Sequence, residues 1–215
     1  MKTTLMILLL PILTLWMAAA DDDSKKADAA RESQMTANAK YWEKKGGIQK
    51  EYRDRLAEMV LKADKIELFL LDFTMAEVED VEVETFPIPP FQGNARVITQ
   101  KAVQPADLES FKAAIATLLS GKRNEGGVFC HYPIHGIRVY QAGTQIFQTS
   151  LCWNCGNYYV EYPDGPAIEE MSQGSPELEK LFNTVLPIPP EEVTRFKSAM
   201  EKMNSKGGEK SSGKK

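Results

Sequence analysis

Thiol and imidazole chemistry in this chain can draw only on Cys130, His131, His135, Cys152 and Cys155, which fall within one short stretch. Thiolates and an imidazole suit a tetrahedral zinc site, here Cys130-x4-His135 with Cys152-x2-Cys155, closed and structural in kind. The C-x2-C half has the usual spacing of such sites; the C-x4-H half is not a standard finger spacing. A second chemistry is thiol–disulfide exchange at Cys152-Trp153-Asn154-Cys155, which is favoured when a helix starts after the first cysteine and lowers its pKa. Residues 156–162 (GNYYVEY) read as a strand, so that help is missing. A third is one structural disulfide from Cys130 to a cysteine of the pair, leaving an odd thiol. Zinc and disulfide both stay open on this reading.

Other candidates have plainer explanations. His131 fits a surface or core imidazole as well as a ligand. Arg138 and Tyr140 share a face of a strand, as on any half-exposed sheet. Asp72, Glu77, Glu79, Asp80, Glu82 and Glu84 form an acidic run without the spacing and glycine of a calcium loop, so a solvated face is expected. Cys130 as nucleophile with His135 as base has no spacing in its favour. The chain lacks a Gly-rich phosphate loop, H-E-x-x-H and G-x-S-x-G. Enzymatic function is not supported.

The run Cys130-His131-Tyr132-Pro133-Ile134-His135-Gly136-Ile137-Arg138, followed by Cys152-Trp153-Asn154-Cys155, resembles an uncharacterised family of small exported bacterial proteins. Their shared core is C-x-x-P-x-H-G-I-R, a short hairpin and then C-x-x-C. The likeness spans residues 86–190; the leader, the helix from Ile48 and the tail lie outside it. Ile134 stands where the family usually carries an arginine, so no anion-binding role is carried over. The resemblance implies no activity, only that Cys130, Pro133, His135, Gly136, Arg138, Cys152 and Cys155 form one unit.

The elements that must position these residues are legible in outline. Residues 137–141 and 144–151 flank Ala142-Gly143, a loop of the length that closes a tight hairpin. Pairing Gln141 with Thr144 and counting outward sets His135 opposite about Ser150 and close to Cys152. Residues 66–73 (IELFLLDF) read as a buried strand and 95–103 as an alternating one; Val78, Val81 and Val83 suit an edge strand or loop. The prolines of residues 86–91 (FPIPPF) rule out a central strand. Both PIPP segments, 87–90 and 187–190, are taken as stiff turns.

Pro105 opens a helix whose apolar face is Leu108, Phe111, Ile115, Leu118 and Leu119, with Gly121 placed for a left-handed cap. Residues 163–174 read as a loop, and helices are expected over 176–185 and 191–203. Ile48, Tyr52, Leu56, Met59, Val60 and Ala63 mark another helix, with Gly46-Gly47 interrupting what precedes it. The fold expected is α+β: a mostly antiparallel sheet of four to six strands with a central β-hairpin, helices packed on one face and an extra N-terminal helix.

Lys2, an apolar run over residues 5–17 and Ala18-Ala19-Ala20 before Asp21 have the layout of a signal peptide, too short to span a bilayer. Residues 1–20 are therefore expected to be removed. What remains is a polar leader and the start of a helical arm over 21–47, a single α+β domain over 48–203 and a disordered basic tail over 204–215. The protein is expected to be periplasmic or secreted, with no membrane association after signal removal. A net charge of −4 makes nucleic acid a poor partner. The functional expectation is an exported non-enzymatic domain that binds an unknown protein or small ligand, with a structural Cys/His site (zinc or disulfide) at the hairpin end. The alternative is a thiol–disulfide redox protein using Cys152 and Cys155.

Overall fold

Ala142 and Gly143 carry φ of 50° and 77°, the pair of positive values that a two-residue hairpin turn of type I′ requires. The strands they join lie at the centre of the sheet. In the computed structural model, residues 10–72, 84–91, 93–121, 131–171 and 175–209 are described. Among them the order is α1 (Leu10–Val60), β1 (Lys65–Leu71), β2 (Thr85–Ile88), β3 (Gly93–Ala102), α2 (Pro105–Ser120), β4 (His135–Gln141), β5 (Thr144–Cys152), β6 (Asn157–Tyr162), β7 (Gly165–Glu170), α3 (Ser175–Val185) and α4 (Pro190–Glu209). The strands form one antiparallel sheet in the order β2-β3-β1-β4-β5-β6-β7. This is an α+β fold.

The sheet has seven strands where four to six were expected. The added edge is β7, in the stretch read as a loop; its Pro166 is tolerated because an edge strand leaves one side of its ladder unpaired. At the opposite edge β2 carries Pro87 for the same reason. Val78, Val81 and Val83 lie outside the described residues.

One face of the sheet holds the larger core. Ile66, Leu68 and Leu70 of β1, Ile137 and Val139 of β4, and Tyr158 and Val160 of β6 pack beneath Phe111, Ile115 and Leu119 of α2 and Phe182 of α3. The opposite face carries a smaller cluster of Phe69, Leu71, Phe86, Ile88 and Ala95. In a flat sheet β2 and β4 would stand three strand spacings apart, about 14 Å. Yet the Phe86 ring of β2 reaches the backbone of Gly136 in β4, and β2 also meets β5. The sheet therefore curls around the smaller cluster.

The chain divides into two units, Met1–Gln49 and Lys50–Lys215. In the first, α1 runs through the stretch read as a flexible leader and through Gly46-Gly47 without a break. Its Ala, Lys, Glu, Arg and Gln content favours helix, and two glycines subtract only about 1 kcal/mol each. Met35, Tyr41, Trp42 and Ile48 are exposed on it, and Lys45 lies 5.6 Å from the Trp42 ring centroid.

In the second unit, the end of α1 buries Arg53, Leu56, Ala57 and Val60. This face is rotated from the expected one, since Ile48 and Met59 are exposed. Arg53 decides the rotation. Its Nη1 donates to Tyr162 Oη at 2.8 Å and its Nε to the Leu119 carbonyl at 3.2 Å. Glu169 accepts from Tyr162 at 2.8 Å and stands 3.6 Å from Arg53. Burial pushes the Tyr162 phenol well up from its ordinary pKa, keeping it a donor.

α2 starts with Pro105 as expected, but Gly121 is extended (φ −62°, ψ 160°) rather than left-handed. Residues 187–189 form a stiff link from α3 to α4. α4 continues past Met203 to Glu209. Arg195 on α4 donates to Asp72 at 2.9 Å, and Arg96 binds the same carboxylate at 3.2 Å.

Candidate functional site

β5 ends at Cys152, and the next four residues turn directly into β6. Gly156 closes that turn with φ of 62°, a conformation glycine adopts without a Cβ clash. Within the turn the Cys155 backbone N–H donates to Cys152 Sγ at 3.3 Å. Cys152 is fully buried and Cys155 half-buried. A strand, not a helix, follows, so the helix N-terminus that activates redox thiols is lacking here.

The hairpin register decides which imidazole faces this turn. Gln141 pairs with Thr144 and Tyr140 with Gln145, but Val139 pairs with Phe147, so Ile146 is an extra residue in β5. This bulge moves every later pair by one. His135 therefore lies opposite Leu151, not Ser150. Cross-strand partners share a face and successive residues alternate. His135 and Leu151 thus face α2 and α3, whereas Ser150, Cys152 and its partner Asn157 face the other way. His135 thus lies within one residue of its expected partner, and the bulge puts it on the face of the sheet opposite Cys152.

His135 is sealed on the helix side, its ring 4.5 Å from that of Phe182. Nδ1 accepts the indole N–H of Trp153 at 2.7 Å, so Nε2 carries the ring hydrogen. Nε2 is buried and makes no hydrogen bond of good geometry, although the nearby Leu186 backbone slightly favours the charged ring. Burial dominates and lowers the His135 pKa to about 4.

His131 lies on the Cys152 side. Its Nδ1 is 2.5 Å from Asn157 Oδ1 and its Nε2 2.6 Å from Ser150 Oγ. Because Oδ1 only accepts, Nδ1 donates to it and Nε2 takes the Ser150 hydroxyl hydrogen. Burial lowers the His131 pKa, partly offset by Asn157. Hydroxyl, imidazole and amide follow the order of a nucleophilic triad, but Ser150 and Asn157 are fully buried and His131 nearly so. The trio ties residue 131 to the hairpin end.

Of the expected ligands, Cys152 and Cys155 share one turn, His135 is on the other face, and Cys130 lies outside the described residues. Among the described residues no group of three His, Cys, Asp or Glu side chains is arranged to hold a metal ion. Of the acidic run, Glu77, Glu79, Asp80 and Glu82 lie outside the described residues, Asp72 binds Arg195 and Arg96, and Glu84 sits 3.4 Å from Arg138. The Arg138 guanidinium stacks over Phe69 and Phe86 at 4.6 and 5.1 Å.

No family model, curated protein or solved structure matches the chain. Leu10–Ala20, expected as an export signal, is helical within α1, and no described helix is long and apolar enough to cross a membrane.

Trp153 also forms one wall of an open pocket of about 400 Å³, between the turn, residues 132–134, α3 and the start of α4. This pocket, like Ser150 and Asn157, has no local signature in the sequence. Its walls come from segments far apart in the chain.

Proposed function

We propose that this protein is an exported, non-enzymatic α+β domain in which the Cys152-Trp153-Asn154-Cys155 turn is a structural thiol site, closed by zinc or by a disulfide. The observation that carries this reading is the Cys155 N–H bond to Cys152 Sγ inside a strand-to-strand turn. Cys152 is buried in a turn between two strands with no helix after it, the setting of a stabilising site rather than of an exchange catalyst. Cys130 is the candidate third thiol. His135 meets the turn through the bond from Trp153, so in the zinc form His135 leaves Trp153 or a fourth ligand comes from elsewhere. The resemblance to small exported bacterial proteins supports the same unit, since Gly136 and Arg138 of the shared segment both engage Phe86. The rival redox reading shares the N–H to sulfur bond but lacks the helix.

Intact native mass of protein made from the full-length chain, purified without reductant or chelator, tests each part. A mass beginning at Asp21 supports export. Gain of one zinc ion with the thiols intact identifies the metal form, and loss of two hydrogens without metal identifies the disulfide form. Three free thiols and no metal overturn the structural thiol site.

A further inference from the structure

The pocket beside the turn has a composition that selects a class of ligand. Ile134 forms a buried floor, and Trp153, Ile188, Val193 and Phe196 make half-buried apolar walls. At about 400 Å³ it falls within the roughly 300–1,000 Å³ typical of small-molecule sites. The Trp153 wall is held in place before any ligand arrives: its N–H is bonded to His135 and its ring lies 5.7 Å from Phe182.

The rim is polar and carries both signs of charge. Glu179 and Asn183 are one turn apart on α3, and Lys197 follows Val193 by one turn on α4, so helical spacing turns all of them toward the opening. Asn154 joins them from the turn. None of these four rim side chains makes a hydrogen bond or ion pair to a described residue. A ligand bearing one charge would be attracted by one of Glu179 and Lys197 and repelled by the other. A ligand carrying an ammonium and a carboxylate satisfies both.

We propose that this pocket binds a small zwitterion with an apolar group, of the kind a free aromatic amino acid presents. The apolar group sits between Trp153 and Phe196, the ammonium at Glu179 and the carboxylate at Lys197, with the Asn154 and Asn183 amides bonding the remaining polar edge. This assignment is independent of whether zinc or a disulfide closes the neighbouring turn.

The test is an NMR titration of the ¹⁵N-labelled protein with L-phenylalanine, read at the Trp153 indole N–H. Parallel titrations use 2-phenylethylamine and 3-phenylpropionate, each lacking one charge. L-phenylalanine is expected to give a saturable shift, and each singly charged probe to bind up to about fivefold more weakly, the effect of one exposed ion pair. Glu179→Gln and Lys197→Gln, both at exposed positions, are each expected to weaken L-phenylalanine binding by a similar factor without changing Tm. No saturable shift at the Trp153 indole, singly charged probes that bind as well as L-phenylalanine, or variants that bind it unchanged would each overturn the assignment.

Discussion

The Phe86 ring occupies the space that a side chain on Gly136 would need: a Cβ built there lies 2.9 Å from both Cε2 and Cζ of Phe86. Phe86 is fully buried and packs against Phe69 at 5.1 Å between centroids, so it has little room to retreat. Gly136→Ala is expected to cost about 1–3 kcal/mol by overpacking. Urea denaturation measures this, and Phe86→Leu in the same chain should recover part of the loss. An unchanged midpoint in Gly136→Ala would show that the curl of the sheet does not depend on this contact.

His135 makes stability depend on acid. Its pKa is lowered to about 4 in the folded protein, by burial, against about 6.5 for an unconstrained imidazole. The unfolded chain therefore binds the proton first. The contribution of the neutral ring is whole above pH 6.5 and is lost as pH falls through 4, on the order of 3 kcal/mol. Protonation also places a hydrogen on Nδ1, facing the Trp153 donor. Denaturation curves from pH 7 to pH 4 should show this loss, with Trp153 fluorescence followed in a Trp16→Phe/Trp42→Phe background. His135→Gln should flatten the dependence; an equally steep curve in that variant places the acid sensitivity elsewhere.

Arg53 and Glu169 form a buried pair of opposite charge bridged by Tyr162. Arg53→Met removes the positive charge beside the buried Glu169 carboxylate. The expected cost is about 3–5 kcal/mol, the range for breaking one side of a buried pair. Adding Glu169→Leu should recover much of it, because the stranded charge is then gone. Equal losses in the single and double variants would mean that Arg53 acts mainly through its bond to the Leu119 carbonyl and its packing.

The two cysteines of the turn differ in burial, and that difference separates the ways of closing it. If zinc is bound, Cys152→Ser and Cys155→Ser should each lower stability by a few kcal/mol, and a chelator should lower the parent Tm. In a disulfide-closed turn the damage concentrates in the bonded cysteine, and a reductant rather than a chelator lowers Tm. Two variants that melt like the parent would remove the turn from any structural role.

What could be read along the chain was local in origin. Ala142-Gly143 marks a hairpin because two consecutive positive φ values admit few residue pairs, and Pro105 marks a helix start because its fixed φ suits the first turn. Residues 66–71 announce a buried strand by their unbroken apolar run. The cap at Gly121 failed for the complementary reason: a glycine permits a left-handed conformation but does not compel it, and there the chain leaves extended.

The sequence by itself determined the α+β class, the central hairpin and the placing of His131, His135, Cys152 and Cys155 near one end of it. Those follow from backbone preferences and alternation, which act between neighbours. Tertiary structure decided which side of the sheet each of those residues faces. The extra residue at Ile146 puts His135 on the face opposite Cys152, and Asn157 and Ser150 become the partners of His131. It also decided the curl that lays Phe86 on Gly136 and the rotation of α1 that buries Arg53. Each of these joins residues distant in the chain, where packing volume and the pairing of buried polar groups select the arrangement and no local pattern encodes it.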